Sequence, residues 1–321
     1  MSTNTHIEKN TQLNTAILFI VFNRLNTTKI VFSRIKSVKP PKLYIASDGP
    51  RSHVEGEYEK IQEIRDYILK NINWDCEIKI LFRDKNLGCG KSVKTAIDWL
   101  FKYEEKGIIL EDDIVPMHSF FSFCDILLEH YANESRIAMI SGINHLHYQP
   151  SDSSYLFSKN KGCWGWATWK RAWINMDYEM NWRKSPQYNC VIENMGVTKY
   201  SVDYWNKALK LIDDKVVDAW DWQWYFSIAA HNQLCIFPEI NLIENIGFGA
   251  DATHTKGNAR KEFFTGNDIL FPLKHPSTIC PNYEFDKLVE YLDMRKNYKH
   301  RLLMLLPLYL QNFFRKLYHR D

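Results

Sequence analysis

Short apolar runs alternate with amphipathic segments over the first 143 residues, and this alternation constrains the fold more than any other feature. The runs are 16–22, 42–46, 77–82, 108–110 and 136–141. In the segments between them, apolar residues recur three or four positions apart, which predicts helices. Strands that alternate with helices form a mostly parallel sheet with right-handed crossovers, so the sequence predicts an α/β fold with helices flanking a central sheet.

Three adjacent acidic residues, Glu111, Asp112 and Asp113, follow the fourth apolar run directly. Open α/β sheets bind ligands beyond the carboxyl ends of their strands, and clustered carboxylates there suit a hard metal ion. Side chains alternate along an extended segment, so we expect Glu111 and Asp113 to share a face and Asp112 to point away. The alternative is a solvated acidic turn.

Polar residues also follow two neighbouring strands of the predicted sheet. Asn23 and Arg24 come after the first strand, where Asn26 is the expected N-cap of the next helix, and Asp48 comes after the second. The carboxyl ends of parallel strands meet at one edge, so these side chains are expected to converge with the acidic triplet. Such a crevice is the usual place for a nucleotide.

The sequence Gly88-Cys89-Gly90-Lys91-Ser92 resembles the end of a phosphate-binding P-loop. The full motif requires a glycine where this chain has Lys85, and without it the backbone amides cannot surround the β-phosphate. The remaining glycines and Lys91 are still candidates for contacting a nucleotide phosphate from a helix N-terminus.

Beyond residue 150 the sequence becomes rich in tryptophan. Most tryptophans pack in cores, but as a group beside a carboxylate they suit a sugar, whose C–H faces stack on aromatic rings. The candidates for sugar binding are Trp164, Trp166, Trp220 and Trp222. Asp221 lies between two of these rings, which are expected to exclude water, raise its pKa and make it a useful general base.

A last strand is predicted over 238–245, followed by a glycine-containing loop suited to closing over a bound phosphate. His254 in that loop is a candidate ligand for a metal or a diphosphate, and an exposed loop histidine is the alternative.

Composition limits the function classes. Of the 321 residues, 41 are basic and 38 acidic, and six of the basic residues lie between Lys296 and Arg320, so the rest of the chain carries a charge of −3. This balance argues against nucleic-acid binding. Seven scattered cysteines without a CxxC pair indicate a reducing, cytosolic compartment.

We divide the chain into a disordered leader (1–14), a nucleotide-sugar-binding half (15–150), an acceptor-binding half of the same domain (151–290), and a basic amphipathic tail (291–321). No signal peptide or membrane span is recognised at the N-terminus. The apolar stretch Leu302–Leu310 is too short to cross a bilayer. It suits either contact with the surface of an anionic membrane or a helix that docks on the core.

In their order and spacing, the motifs over residues 15 to 255 resemble those of GT-A glycosyltransferases, above all the inverting N-acetylglucosaminyltransferase I-like and bacterial family 2-like nucleotide-diphospho-sugar transferases. The resemblance implies a Rossmann-like fold and Mn²⁺ or Mg²⁺ held by Asp113. It also implies a nucleotide-sugar donor, most commonly a UDP-sugar, contacted by Arg24, Asp48, Glu111 and Asp112. Asp221 matches the position of the family's catalytic base.

The chain departs from that family at two points. Trp222 stands where the family has a second aspartate, and the family's N-terminal membrane span is not recognised here. The resemblance therefore implies a bacterial cytosolic enzyme, at or near the inner face of the membrane, that extends a glycan or lipid-linked glycan in surface polysaccharide synthesis. The rival interpretations are a P-loop-like nucleotide hydrolase and a non-catalytic carbohydrate-binding protein.

Overall fold

The computed structural model describes residues 13–146, 148–149, 152–247 and 265–294. The strands are β1 (Ala16–Val21), β2 (Lys42–Ser47), β3 (Glu77–Phe82), β4 (Lys106–Glu111), β5 (Ile114–Pro116), β6 (Ile137–Ser141), β7 (Tyr155–Ser158), β8 (Trp166–Trp169), β9 (Leu234–Pro238) and β10 (Ile243–Asn245). The α-helices are α1 (Leu25–Val38), α2 (Glu57–Asn71), α3 (Cys89–Leu100), α4 (His118–His130), α5 (Lys170–Trp173), α6 (Tyr188–Glu193), α7 (Lys199–Asp213), α8 (Asp221–Ala230) and α9 (Tyr283–Val289). A 3₁₀ turn covers Asn181–Lys184 and a π-helical turn covers Glu290–Met294.

Eight strands form one mixed, mostly parallel sheet in the order β3-β2-β1-β4-β8-β6-β9-β7. Strands β3, β2, β1 and β4 run parallel to one another. Ile17 of β1 pairs with Leu43 of β2 on one side and with Ile108 of β4 on the other. β8 runs antiparallel between β4 and β6, and β9 returns parallel to β6. Strands β5 and β10 form a separate antiparallel ribbon. The predicted α/β class with a mostly parallel central sheet is confirmed.

Two hydrophobic cores cover the two faces of the sheet, because alternate residues of its central strands point to opposite sides. Ile17 and Phe19 of β1 pack with residues of α1, α2 and α4. Leu18 and Ile20 of the same strand pack in the other core, with residues of α3 and α8 and with most of the tryptophans. Most residues of the tryptophan-rich stretch therefore pack in the core on one face of the sheet.

Two details of the predicted elements are wrong. The single strand expected over 238–245 is two strands, β9 and β10, that belong to different sheets. Between them the Asn241 side chain bonds to the backbone carbonyl of Ile243 and accepts from the N–H of Asn144, which fixes a turn. Helix α1 begins at Leu25 with Arg24 at the N-cap position, rather than at a cap formed by Asn26.

Among the helices that the structure describes, none is both long enough and apolar enough to cross a membrane. His254 and the tail from residue 295 onward lie outside the described residues, as do residues 1–12.

Candidate active site

The acidic triplet lies at the carboxyl edge of the parallel strands, where β4 ends. Glu111 is the last residue of β4, and Asp112 and Asp113 form the turn into β5. Because β1 and β2 run parallel to β4, Arg24 and Asp48 follow their strands at the same edge of the sheet.

A cavity of about 330 Å³ opens beside this turn. Its wall includes Arg24, Cys89, Glu111, Asp113, Cys163, Trp164, Asp218, Trp220, Asp221, Trp222, Asn245 and Gly247. Glu111 and Asp113 both face it, while Asp112 is not part of its wall. The first turn of α8 supplies Asp221 and Trp222, so Glu111, Asp113 and the downstream aspartate open into the same cavity.

Asp112 is buried outside the cavity wall and holds Arg24 in place. Its side chain is only 4% exposed, and it forms an ion pair with the Arg24 guanidinium and accepts a hydrogen bond from the Phe22 N–H at 3.2 Å. Arg24 Nη2 also lies 2.9 Å from Asp113 Oδ2. The role of Asp112 in contacting ribose or metal-bound water stays a prediction; in this structure its carboxylate anchors Arg24.

Glu111 has an unusual electrostatic environment. Burial, together with the negative charges of Asp113, Asp112 and Asp221, raises the pKa of Glu111 to about 8, and the positive charge of Arg24 offsets this only in part. Clustered carboxylates with one guanidinium among them favour a ligand that brings positive charge.

Asp221 begins helix α8, where the positive end of the helix dipole favours a carboxylate. Its Oδ2 lies 4.0 Å from the thiol of Cys163. The Cys163 N–H donates to the hydroxyl of Tyr225 on the next turn of α8, at 3.0 Å, so the loop before β8 is fastened to the helix. Trp220, which precedes Asp221, stacks on Trp166 with ring centroids 5.6 Å apart.

A glycine near Asp113 leaves room at its carboxylate. A Cβ atom at Gly247 would lie 2.1 Å from Asp113 Oδ2, so a side chain there would collide with it. The Ile246 N–H donates to the backbone carbonyl of Asp113 at 2.9 Å, which holds the end of the β10 segment close to the acidic turn.

Asp218 belongs to the cavity wall and was missed by sequence reasoning. It lies in the loop before α8, and its Oδ1 accepts a hydrogen bond from the Gly90 N–H at 3.2 Å, at the N-terminus of α3. A Cβ atom at Gly88 or Gly90 would lie 2.7 or 2.5 Å from the same carboxylate. The paired glycines, first noted for their likeness to a P-loop, therefore allow close approach of an acidic side chain. A carboxylate occupies the position that the P-loop interpretation would give to a phosphate.

Among the residues that the structure describes, no group of three or more histidine, cysteine, aspartate or glutamate side chains could hold a metal ion by itself. A cation at this turn would have to complete its coordination with ligand or water oxygens.

No protein-family model matches the chain, and no curated protein matches its sequence. Solved structures resemble it weakly. A mannosyltransferase from Pyrobaculum calidifontis, in complex with GDP-Man and Mn²⁺, has a TM-score of 0.32 and 8% identity over 55% of this chain. HddC from Yersinia pseudotuberculosis, complexed with GMP-PN, has a TM-score of 0.27 and 11% identity over 48% of this chain.

A UDP-glucose pyrophosphorylase complexed with UDP-glucose has a TM-score of 0.26 and 11% identity over 49% of this chain. The matches span 48% of the mannosyltransferase chain, 77% of the HddC chain and 69% of the pyrophosphorylase chain.

Three other predicted site residues do not line the cavity. The Asp48 carboxylate accepts hydrogen bonds from the N–H groups of Gly49 and Leu87, at 2.9 and 3.0 Å, and so ties two loops together. Lys91 is exposed on α3 outside the cavity wall. Trp166 is 1% exposed and packs in the core beneath Trp220, so its predicted contact with sugar is not available in this structure.

Proposed function

We propose that the protein is an inverting glycosyltransferase that moves a sugar from a nucleotide-diphospho-sugar to a hydroxyl of a glycan or lipid-linked glycan. The observation that carries this proposal is the shared cavity, which has Glu111 and Asp113 at the carboxyl edge of the sheet and Asp221 at the start of α8. Such a cavity can hold a donor near one set of carboxylates and an acceptor near the other. We also propose that this transfer serves surface polysaccharide synthesis in a bacterium.

The acidic turn fits a divalent cation such as Mn²⁺ or Mg²⁺. Glu111 and Asp113 offer hard oxygen ligands on one cavity wall, and a cation there would relieve their mutual repulsion. Magnesium in particular is commonly held by one or two carboxylates plus substrate phosphates, which agrees with the small number of ligands in the described chain. When bound, the ion would neutralise charge on the departing nucleoside diphosphate.

Asp221 is proposed as the general base. In an inverting transfer, the base removes the proton from the acceptor hydroxyl while that oxygen attacks the anomeric carbon from the face opposite the leaving group. The partly buried rings of Trp164 and Trp222 and the buried Trp220 surround this part of the cavity. They can stack on a sugar and exclude the water that would otherwise compete with the acceptor.

The first test replaces the proposed base. Asp221→Asn keeps the shape of the side chain but removes the proton acceptor, so we expect turnover to fall by roughly 10²-fold or more with donor affinity nearly unchanged. Asp214→Asn, at the exposed C-terminal end of α7, is the matched control and should behave as wild type. Sugar transfer by Asp221→Asn at the wild-type rate would exclude Asp221 as the base.

The second test measures donor binding by thermal shift, with a panel of UDP- and GDP-sugars in the presence and absence of Mn²⁺. A ligand that binds only the folded state raises the melting temperature, and at 100 times its Kd the stabilisation is about 2.7 kcal/mol. We expect a metal-dependent shift with at least one nucleotide sugar, and its loss in Asp113→Ala. A shift that is equal with and without Mn²⁺, or unchanged in Asp113→Ala, would contradict the metal assignment.

A further inference from the structure

Half-buried aromatic residues continue from the cavity across α7 to the π-helical turn. Trp222 on the cavity wall lies against Trp205 of α7, with ring centroids 6.3 Å apart, and the Tyr204 ring is 5.1 Å from that of Trp205. One helical turn earlier, Tyr200 packs edge-on against Tyr291 of the π-helical turn at 6.3 Å. We refer to Trp222, Tyr204, Tyr200 and Tyr291 together as the aromatic strip.

The aromatic strip also has polar groups suited to sugar hydroxyls. His145, from the segment after β6, lies 2.9 Å from the carboxylate of Asp293, and both side chains are partly exposed. Burial raises the pKa of Tyr204, and the negative charges of Asp293 and Asp221 raise it further. Trp222, the cavity end of the strip, follows Asp221 directly in the first turn of α8, so the strip begins beside the candidate base.

The exposure of these residues differs from that of their neighbours in the core. Trp205 is only 6% exposed, as expected for a side chain that packs α7 on α8. The four members of the strip are only partly buried, and Tyr200 and Tyr204 are four residues apart, so they lie on one face of α7. The strip ends on a π-helical turn, a rare conformation that is frequent at functional sites.

Aromatic rings accompanied by a carboxylate, that of Asp293 on the same π-helical turn as Tyr291, suit the surface of a carbohydrate chain. Each pyranose has an apolar C–H face that can stack on a ring and hydroxyls that can donate to a carboxylate. We propose that the aromatic strip binds the sugar units of the acceptor that lie beyond the one at Asp221. The acceptor class is then an oligosaccharide of several units rather than a single sugar, an inference that rests on the proposed transferase function.

The experiment measures binding of the full-length chain to a printed array of oligosaccharides of one to six sugars. We expect at least one series in which binding rises about tenfold or more from the monosaccharide to the trisaccharide. In the double variant Tyr200→Ala/Tyr291→Ala, binding of the longer members should fall about tenfold, while binding of the monosaccharide stays within about twofold of wild type.

Two controls separate lost stacking from lost folding. Tyr200→Phe/Tyr291→Phe keeps both rings, so it should bind the longer oligosaccharides nearly as wild type does. Tyr58→Ala removes a tyrosine that is 57% exposed on α2, and should leave the array pattern unchanged. Circular dichroism melting of each variant checks that the fold is retained.

The donor thermal shift is measured on the same samples, which keeps the two proposals apart. No oligosaccharide binding, no dependence on length, or equal binding by the double alanine variant would overturn the strip proposal, even with a normal donor shift. Strip-dependent oligosaccharide binding without any donor shift would overturn the transferase function and leave the strip as a carbohydrate-binding site.

Discussion

Lys161 is a half-buried lysine that the proposed chemistry does not use. Its ammonium lies 3.9 Å from the sulfur of Met195, and burial lowers the pKa of Lys161 to about 7 despite the opposing charges of Asp286 and Glu290. An unfolded lysine has a pKa near 10.4. Between pH 7 and about 10, the unfolded chain therefore binds more protons at Lys161 than the folded chain does. The contribution of Lys161 to the free energy of unfolding therefore rises with pH.

Lys161→Met tests this linkage at the scale of one residue. Methionine is apolar and similar in length, so the variant should be more stable than wild type at pH 7, and the difference should shrink as the pH rises toward 9.5. One pKa unit corresponds to about 1.4 kcal/mol, so a difference of a few kcal/mol is expected at pH 7. Urea unfolding at several pH values measures the difference in stability between Lys161→Met and wild type. A difference that does not change with pH would contradict the lowered pKa of Lys161.

Individual site residues were predictable where local sequence determines their position. Glu111 and Asp113 were expected to share a face by strand alternation, and both line the cavity, although Asp113 lies in the turn that follows β4. The partner of Arg24 could not be predicted, because its ion pair with Asp112 joins residues 88 positions apart in the chain. The contact of Asp218 with Gly90 spans 128 positions, so its place in the wall also depends on tertiary packing.

At the scale of elements, the α9 region is fastened to α7 by one buried side chain. The two carboxylate oxygens of Glu290 accept hydrogen bonds from the N–H groups of Val197 and Thr198, each at 2.7 Å, just before α7 begins. Glu290 is fully buried. It therefore satisfies backbone donors at the N-terminus of α7, as an N-cap side chain would.

Glu290→Gln should destabilise the protein by about 1–3 kcal/mol, because an amide group can accept only one of these hydrogen bonds and leaves a buried donor unpaired. Glu63→Gln makes the same chemical change at an exposed position on α2 and should leave stability unchanged. The midpoints of urea unfolding compare the two variants with wild type. Equal midpoints for Glu290→Gln and wild type would show that the cap contributes little.

Element prediction succeeded in the first part of the chain and failed where strands are short. Strands β1 to β4 were readable because apolar runs of several residues alternate with long amphipathic helices. β7 and β8 have four residues each, and β8 lies inside the tryptophan-rich stretch, where both faces are apolar and no period is visible. The position of β8 between β4 and β6 is set by pairing over long sequence separations.

At the scale of the whole molecule, the sheet joins the two halves into which the sequence was divided. β8, from the second half, pairs with β4 on one side and β6 on the other, both from the first half. Removing the second half would leave β4 with an unpaired edge and expose the core residues that pack against Trp166. The cavity likewise takes Glu111 and Asp113 from one half and Asp221 from the other.

We therefore expect the two halves to unfold in one cooperative transition, although the division at residue 150 invites the expectation of two. Hydrogen exchange with mass spectrometry at increasing urea can follow peptides that cover β1 and peptides that cover β9 in the same samples. Loss of protection should share one midpoint, because neither edge of the β4–β8–β6 junction is stable without its partner. Retained protection in β1 after β9 has exchanged would show that the first half is stable on its own.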